Sequence, residues 1–159
     1  MNSNGQLDRF DMAIVHALLK NSRKSLQEIG SEIGLSQTAC WNRVKAMEER
    51  GVILGYTINV DLENIGYRDT FIVQVILETH SEKTLNEFGR ALDLIPEVTE
   101  AYLVSGEYDY YMKVAIKDTR DYERLLREQL YKIPGVRHTK SSLVLRKLKQ
   151  SSFPVSDHR

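Results

Sequence analysis

Apolar residues between Leu7 and Gly51 recur at helical spacing in three runs separated by polar breaks. Leu7, Phe10, Ile14 and Leu18 make one stripe, widened by Val15 and Leu19, and Asp8 and Asp11 favour the start of a helix electrostatically. The break Lys20-Asn21-Ser22-Arg23-Lys24 leads to Ser25, which with Glu28 has the form of a capping box. Leu26, Ile29 and Ile33 predict a short second helix that Gly34 ends through a left-handed residue. Leu35 plugs the turn, and Ser36 can cap a third helix. There Cys40, Val44 and Met47 stand at i, i+4 and i+7 and face inward, so Thr38, Asn42 and Lys45 face out, with Gln37 and Trp41 near the boundary. Gly51 closes it. Two helices joined by a tight turn, the second polar and basic outside, have the helix-turn-helix pattern, whose second helix enters a DNA major groove. An ordinary helical hairpin with a solvated face has the same pattern over this stretch alone.

Beyond Gly51 the pattern changes. Residues 52–60 are rich in β-branched and aromatic types and read as a connecting strand or a small wing. Asp61 to Gly66 holds turn formers, which sets a boundary: residues 1–60 as one module, 61–150 as another, 151–159 as a loose tail. In the second module Phe71, Val73, Val75 and Leu77 alternate, with Ile72 and Ile76 opposite, which predicts a strand covered on one face and mostly covered on the other. Leu85, Phe88, Leu92 and Ile95 predict a helix, Val98 to Val104 a strand, Ser105-Gly106-Glu107-Tyr108 a hairpin turn and Asp109 to Ile116 a third strand. A helix carrying Tyr122, Leu125, Leu126 and Leu130 and a last strand from Val136 to Leu148 complete the order β-α-β-β-α-β. Ile95-Pro96-Glu97-Val98 and Ile133-Pro134-Gly135-Val136 lie 38 positions apart, each between a helix and a strand. A ferredoxin-like fold repeats that corner through its pseudo-twofold. The expected class is therefore α+β: an N-terminal three-helix (winged) helix-turn-helix domain followed by a ferredoxin-like βαββαβ domain.

Composition narrows the function less than the pattern does. The chain of 159 residues is 42% hydrophobic and 28% charged with no formal net charge, ordinary values for a folded soluble protein. Met1 to Arg50 carries seven basic and six acidic residues, so DNA affinity from counterion release is modest per subunit and calls for an assembly. No apolar run is long enough to span a bilayer, and the polar start MNSNGQ lacks a signal peptide's regions; a cytoplasmic protein is expected. The single cysteine, Cys40, reads as a packing residue, with a redox or metal role as the lesser reading. Catalysis is not expected: His16, His80, His138 and His158 have no metal-ligand spacing, and no nucleophile elbow, P-loop or dinucleotide fingerprint occurs.

Several segments together resemble the Lrp/AsnC (feast/famine) family of regulators: Leu7-Asp8-Arg9-Phe10-Asp11, Gly34-Leu35-Ser36, Cys40, Arg43-Val44, Glu48, Gly51-Val52-Ile53-Leu54-Gly55-Tyr56, Val104 to Tyr110 and Leu130 to Val136. The similarity runs from Leu7 to about Lys149. It implies a transcription regulator that dimerises through the sheet of its second domain, assembles further to tetramers or octamers, and binds a small effector, usually an amino acid, between dimers. By that resemblance Leu103, Gly106, Tyr108, Asp109 and Tyr110 line the effector pocket, with Thr139 and Ser141 facing them from the last strand. This chain has Ser142 where some relatives carry an aromatic residue, so leucine is not assumed as the effector.

The chemistry of these residues fits both tasks. Asp109 can accept from an ammonium, and N–H groups around Gly106 with the hydroxyls of Thr139 or Ser141 can hold a carboxylate. The plainer reading is that Gly106 permits a positive φ and Asp109 caps the turn. For DNA the expected contacts are Gln37, Thr38, Trp41, Asn42 and Lys45, with Ser36 at the helix start. Asn and Gln suit adenine, and Lys suits guanine or phosphate. Trp41 either contacts a thymine methyl or sugar or packs half-buried between helices. Arg43, beside the inward face, is assigned to a phosphate or to covering the core. Arg23 and Ser25, at the start of the second helix, are placed to hold a phosphate. The expected function is sequence-specific binding of double-stranded DNA under effector control. Alternatives are an architectural DNA organiser with little ligand response, or an amino-acid-sensing module without DNA.

Overall fold

The computed structural model describes residues 6–149. Each of the first three helices begins at a side-chain cap. For α1 (Arg9–Lys20) Asp8 accepts from the N–H groups of Phe10 and Asp11, while Asp11 accepts from Asp8 N, closing a capping box in which Asp replaces the usual Glu. For α2 (Leu26–Ile33) the expected Ser25–Glu28 box forms, and the helix leaves through Gly34 at φ +77°. For α3 (Gln37–Glu49) Ser36 accepts from Ala39 N. Ile14, Ile29, Cys40, Val44 and Met47 form the buried centre, with Leu7, Val15, Leu18, Leu26, Ile33 and Leu35 packed around it. Gly30 is buried, and a Cβ there would lie 2.5 Å from the Leu35 carbonyl oxygen, so glycine lets α2 close against the turn.

Residues 52–60 form no paired strand, which corrects the expected strand or wing. Leu54 and Ile58 are 93% and 74% exposed. β-branched residues give the backbone an extended bias, but a ladder also needs a partner edge, and the four-stranded sheet is built from other segments.

The chain divides into two compact units at Ile58/Asn59. In the second, β1 (Asp69–Leu77), α4 (Glu82–Leu92), β2 (Val98–Leu103), β3 (Tyr110–Ile116), α5 (Thr119–Glu128) and β4 (Val136–Leu143) follow in the expected βαββαβ order. All pairings are antiparallel and the sheet order is β2-β3-β1-β4. Val73 faces Met112 on one side and Ser141 on the other, which fixes the register. Val73, Val75 and Leu77 of β1 and Tyr110, Met112, Val114 and Ile116 of β3 share one core with Phe88 and Leu92 of α4 and Tyr122 and Leu125 of α5. Both helices therefore lie on one face. Tyr122 stacks flat on Phe71, centroids 3.8 Å apart, and its hydroxyl donates to Ser141 Oγ. The two Ile-Pro corners are equivalent: Ile95 and Ile133 are both buried, and each accepts from the valine three residues on.

Candidate nucleic-acid and effector surfaces

Capping by Ser36 and burial of Cys40, Val44 and Met47 fix the rotation of α3, so Gln37, Thr38, Trp41, Asn42 and Lys45 are all exposed. Trp41 is 51% exposed and the Lys45 ammonium lies 5.2 Å from its ring centroid. These five, with Ser36 at the helix start, form a row of hydrogen-bonding and cationic groups on one outer face.

Arg43, assigned to a phosphate or to covering the core, and Ser25, placed to hold a phosphate, both have partners within the protein. Arg43 turns toward α1: its Nη1 donates to Asp8 Oδ2 at 2.8 Å and Asp11 Oδ1 at 2.7 Å, and its guanidinium sits over the Phe10 ring. The carboxylates of Asp11 and Asp8 raise its pKa further, so it is a fixed brace between helices. At the start of α2, the Ser25 hydroxyl donates to Glu28 Oε2 at 2.7 Å and accepts from Glu28 N, and Ser25 N donates to the same carboxylate. The Ser25 hydroxyl and then its N–H hold Glu28 below the usual carboxylate range, so the protein's own anion occupies that terminus. Arg23 remains exposed beside it.

In the second unit Gly106 takes φ +138°. Asp109 is tied at both oxygens: Oδ2 accepts from Leu77 N at 2.7 Å and Oδ1 lies 2.7 Å from His80 Nε2. Its side chain pins the start of β3 to the end of β1 rather than capping the turn itself, with two of its lone-pair sites taken. Tyr110 is buried, donates to the Leu85 carbonyl at 3.3 Å, and its phenol pKa is pushed up by burial and then by Asp109. Tyr108 meets Tyr111 edge-on, and Leu103 is 60% exposed.

Thr139 and Ser141 do not face these residues within one chain. The crossover after α5 sets β4 beside β1, so β3 and β1 lie between β4 and β2. Thr139 donates to the Tyr131 hydroxyl at 3.3 Å and Ser141 accepts from Tyr122. Tyr110 and Thr139 both pair with Val75, one on each side of β1, while Leu103 lies on the far edge strand β2.

Sequence reasoning missed His80, whose partner is 29 residues away, and Gln74, whose Oε1 is buried without a hydrogen bond. Burial raises the Cys40 thiol pKa, which disfavours the reactive thiolate. Among the described residues no three His, Cys, Asp or Glu side chains group as metal ligands, and no helix is long and apolar enough to cross a membrane.

Residues 7–48 match the AsnC-type helix-turn-helix domain, and residues 70–153 the Lrp/AsnC ligand binding domain. The leucine-responsive regulatory protein of Haemophilus influenzae is 34% identical over 152 residues, covering 96% of this chain and 92% of its own. The proline dehydrogenase transcriptional activator of Rhizobium radiobacter is 34% identical over 147 residues, 92% of this chain and 94% of its own. Among solved structures, an AsnC family transcriptional regulator from Agrobacterium tumefaciens superposes with a TM-score of 0.86 at 29% identity, covering 94% of this chain and 97% of that one. With the helix-turn-helix motif and the βαββαβ unit both in place, the chain belongs to the Lrp/AsnC family of DNA-binding transcription regulators, which are not enzymes.

Proposed function

We propose that Gln37, Thr38, Trp41, Asn42 and Lys45 are the base- and backbone-reading set of this regulator, with Ser36 and Arg23 at its margins. The observation that carries the reading is the single exposed polar face of α3 opposite Cys40, Val44 and Met47. Asn42 and Gln37 have the paired donor and acceptor that adenine requires in the major groove. Lys45 supplies charge. Changing Lys45 to Ala tests its role: weaker binding to every duplex with a flatter salt dependence marks a phosphate contact, and altered base preference with an unchanged salt slope marks a base contact.

The effector is an amino acid, bound where the Gly106 turn of one copy meets β4 of another. Two facts support a shared site: Leu103 and Gly106 are exposed at one edge of the sheet, and Thr139 is at the other. The uncovered face supports a dimer that assembles further. It carries Ile72, Ile76, Tyr102 and Tyr111 together with the unsatisfied Gln74 carbonyl oxygen, groups a second copy can cover and bond. The relatives above are named for leucine and for proline dehydrogenase activation. The protein works in the cytoplasm, where both DNA and free amino acids are found. Thermal melts against single amino acids test the effector: saturation at 100 times the dissociation constant raises stability by about 2.7 kcal/mol. No shift with any of them, free or on DNA, would leave the second unit as an assembly module only.

A further inference from the structure

The first unit contains a groove of about 280 Å³ that shares Trp41 and Lys45 with the proposed DNA-reading face. This is just below the roughly 300 Å³ at which the usual range of ligand sites begins. Leu18, Leu26, Val44 and the Trp41 ring supply its apolar lining, and Lys24 and Lys45 are among the polar groups that make up the larger part. Glu48 also lines it, but its Oε1 already accepts the Tyr56 hydroxyl at 2.9 Å. Of the two ammonium groups Lys45 is the more loosely held. Lys45 Nζ is 3.9 Å from Glu49, and Lys24 pairs with Glu32, both carboxylates being more than half exposed. Exposed pairs of this kind give way at little cost.

We propose that this groove binds a small carboxylic acid with an apolar body, the body lying on Trp41 and the leucine and valine side chains and the carboxylate meeting Lys45 and Lys24. A cation fits less well, because the groove's one carboxylate is already hydrogen-bonded and two ammonium groups oppose it. Occupancy would cover Trp41 and draw Lys45 inward, removing two members of the outer face of α3. Resting on the reading of that face as the DNA surface, bound acid therefore antagonises DNA.

Trp41 is the only tryptophan in the chain, so its emission reports the groove directly. Titration of the full chain with sodium phenylacetate should give a saturable change. Phenethylamine (same body, opposite charge) and acetate (same charge, no body) should each bind at least about tenfold more weakly. Lys45→Met and, separately, Lys24→Gln, both surface changes whose folding is checked by melting, should each raise the phenylacetate dissociation constant about tenfold. No saturable change, an equal response to phenethylamine, or full binding by both variants overturns the site. Saturable binding that leaves DNA affinity unmoved keeps the site and counts instead against α3 as the DNA surface.

Discussion

Arg43 of α3 donates to Asp11 of α1 across 2.7 Å, joining the helix that carries the exposed polar row to the first turn of the chain's first helix. The same guanidinium reaches Asp8, the residue that caps α1. The brace thus ties the start of one helix to the rotation of another. Arg43→Met should lower the melting temperature, with a loss of about 1–2 kcal/mol from the Asp11 contact. It should also weaken DNA binding although Arg43 itself faces inward. Normal stability with selectively lost DNA affinity would mean that Arg43 reaches DNA after all.

Two depressed carboxylates give the first unit an acid sensitivity. Asp8 is held down chiefly by the Asp11 N–H and then by Arg43, and Glu28 by the Ser25 hydroxyl and N–H. A carboxyl group whose folded pKa is lowered stabilises the fold above its unfolded value and loses that contribution as pH falls through the folded one. Stability should therefore hold above the ordinary carboxylate range, about pH 4–5, and fall on further acidification. Glu28→Gln should flatten that fall in an acid titration followed by circular dichroism.

Gly30 offers a test of the turn. Gly30→Ala places a Cβ against the Leu35 carbonyl at 2.5 Å, backbone that cannot move aside cheaply. The helix propensity of Ala would favour the change, but overpacking of about 1–3 kcal/mol outweighs it. Chemical denaturation should show net destabilisation.

What the sequence made legible was local. The Ser25–Glu28 box, the Ser36 cap, the left-handed Gly34 and the inward run Cys40, Val44, Met47 each depend on residues within a few positions of one another. The two Ile-Pro corners revealed the topology because a symmetric fold repeats its sequence punctuation. Contacts between distant positions were not legible. Arg43 was placed beside the inward face, for a phosphate or for covering the core, and nothing near it in sequence announces Asp8 and Asp11 as its partners. The grouping of Thr139 and Ser141 with the Gly106 turn came from the resemblance and concerns a site between dimers, which strand order within one chain does not record.

Asp109 separates the turn from the ligand. Asp109→Ala leaves Leu77 N without its acceptor, an unmade bond at a part-buried group costing about 1–3 kcal/mol. Melting should fall with or without effector. His80→Ala keeps the Leu77 bond, so its melting temperature should stay close to that of the parent, and any change in effector affinity then belongs to the exposed imidazole.

Base reading by the outer face of α3 can be tested at a single side chain, Asn42. The most direct measurement compares the affinity of the protein and of Asn42→Ala for a duplex selected from a random pool and for an unselected duplex at one salt concentration. A lost base contact should cost about 1–3 kcal/mol on the selected duplex and leave the unselected one unchanged. Equal affinity of both proteins for the selected duplex, repeated with Gln37→Ala, would contradict the account.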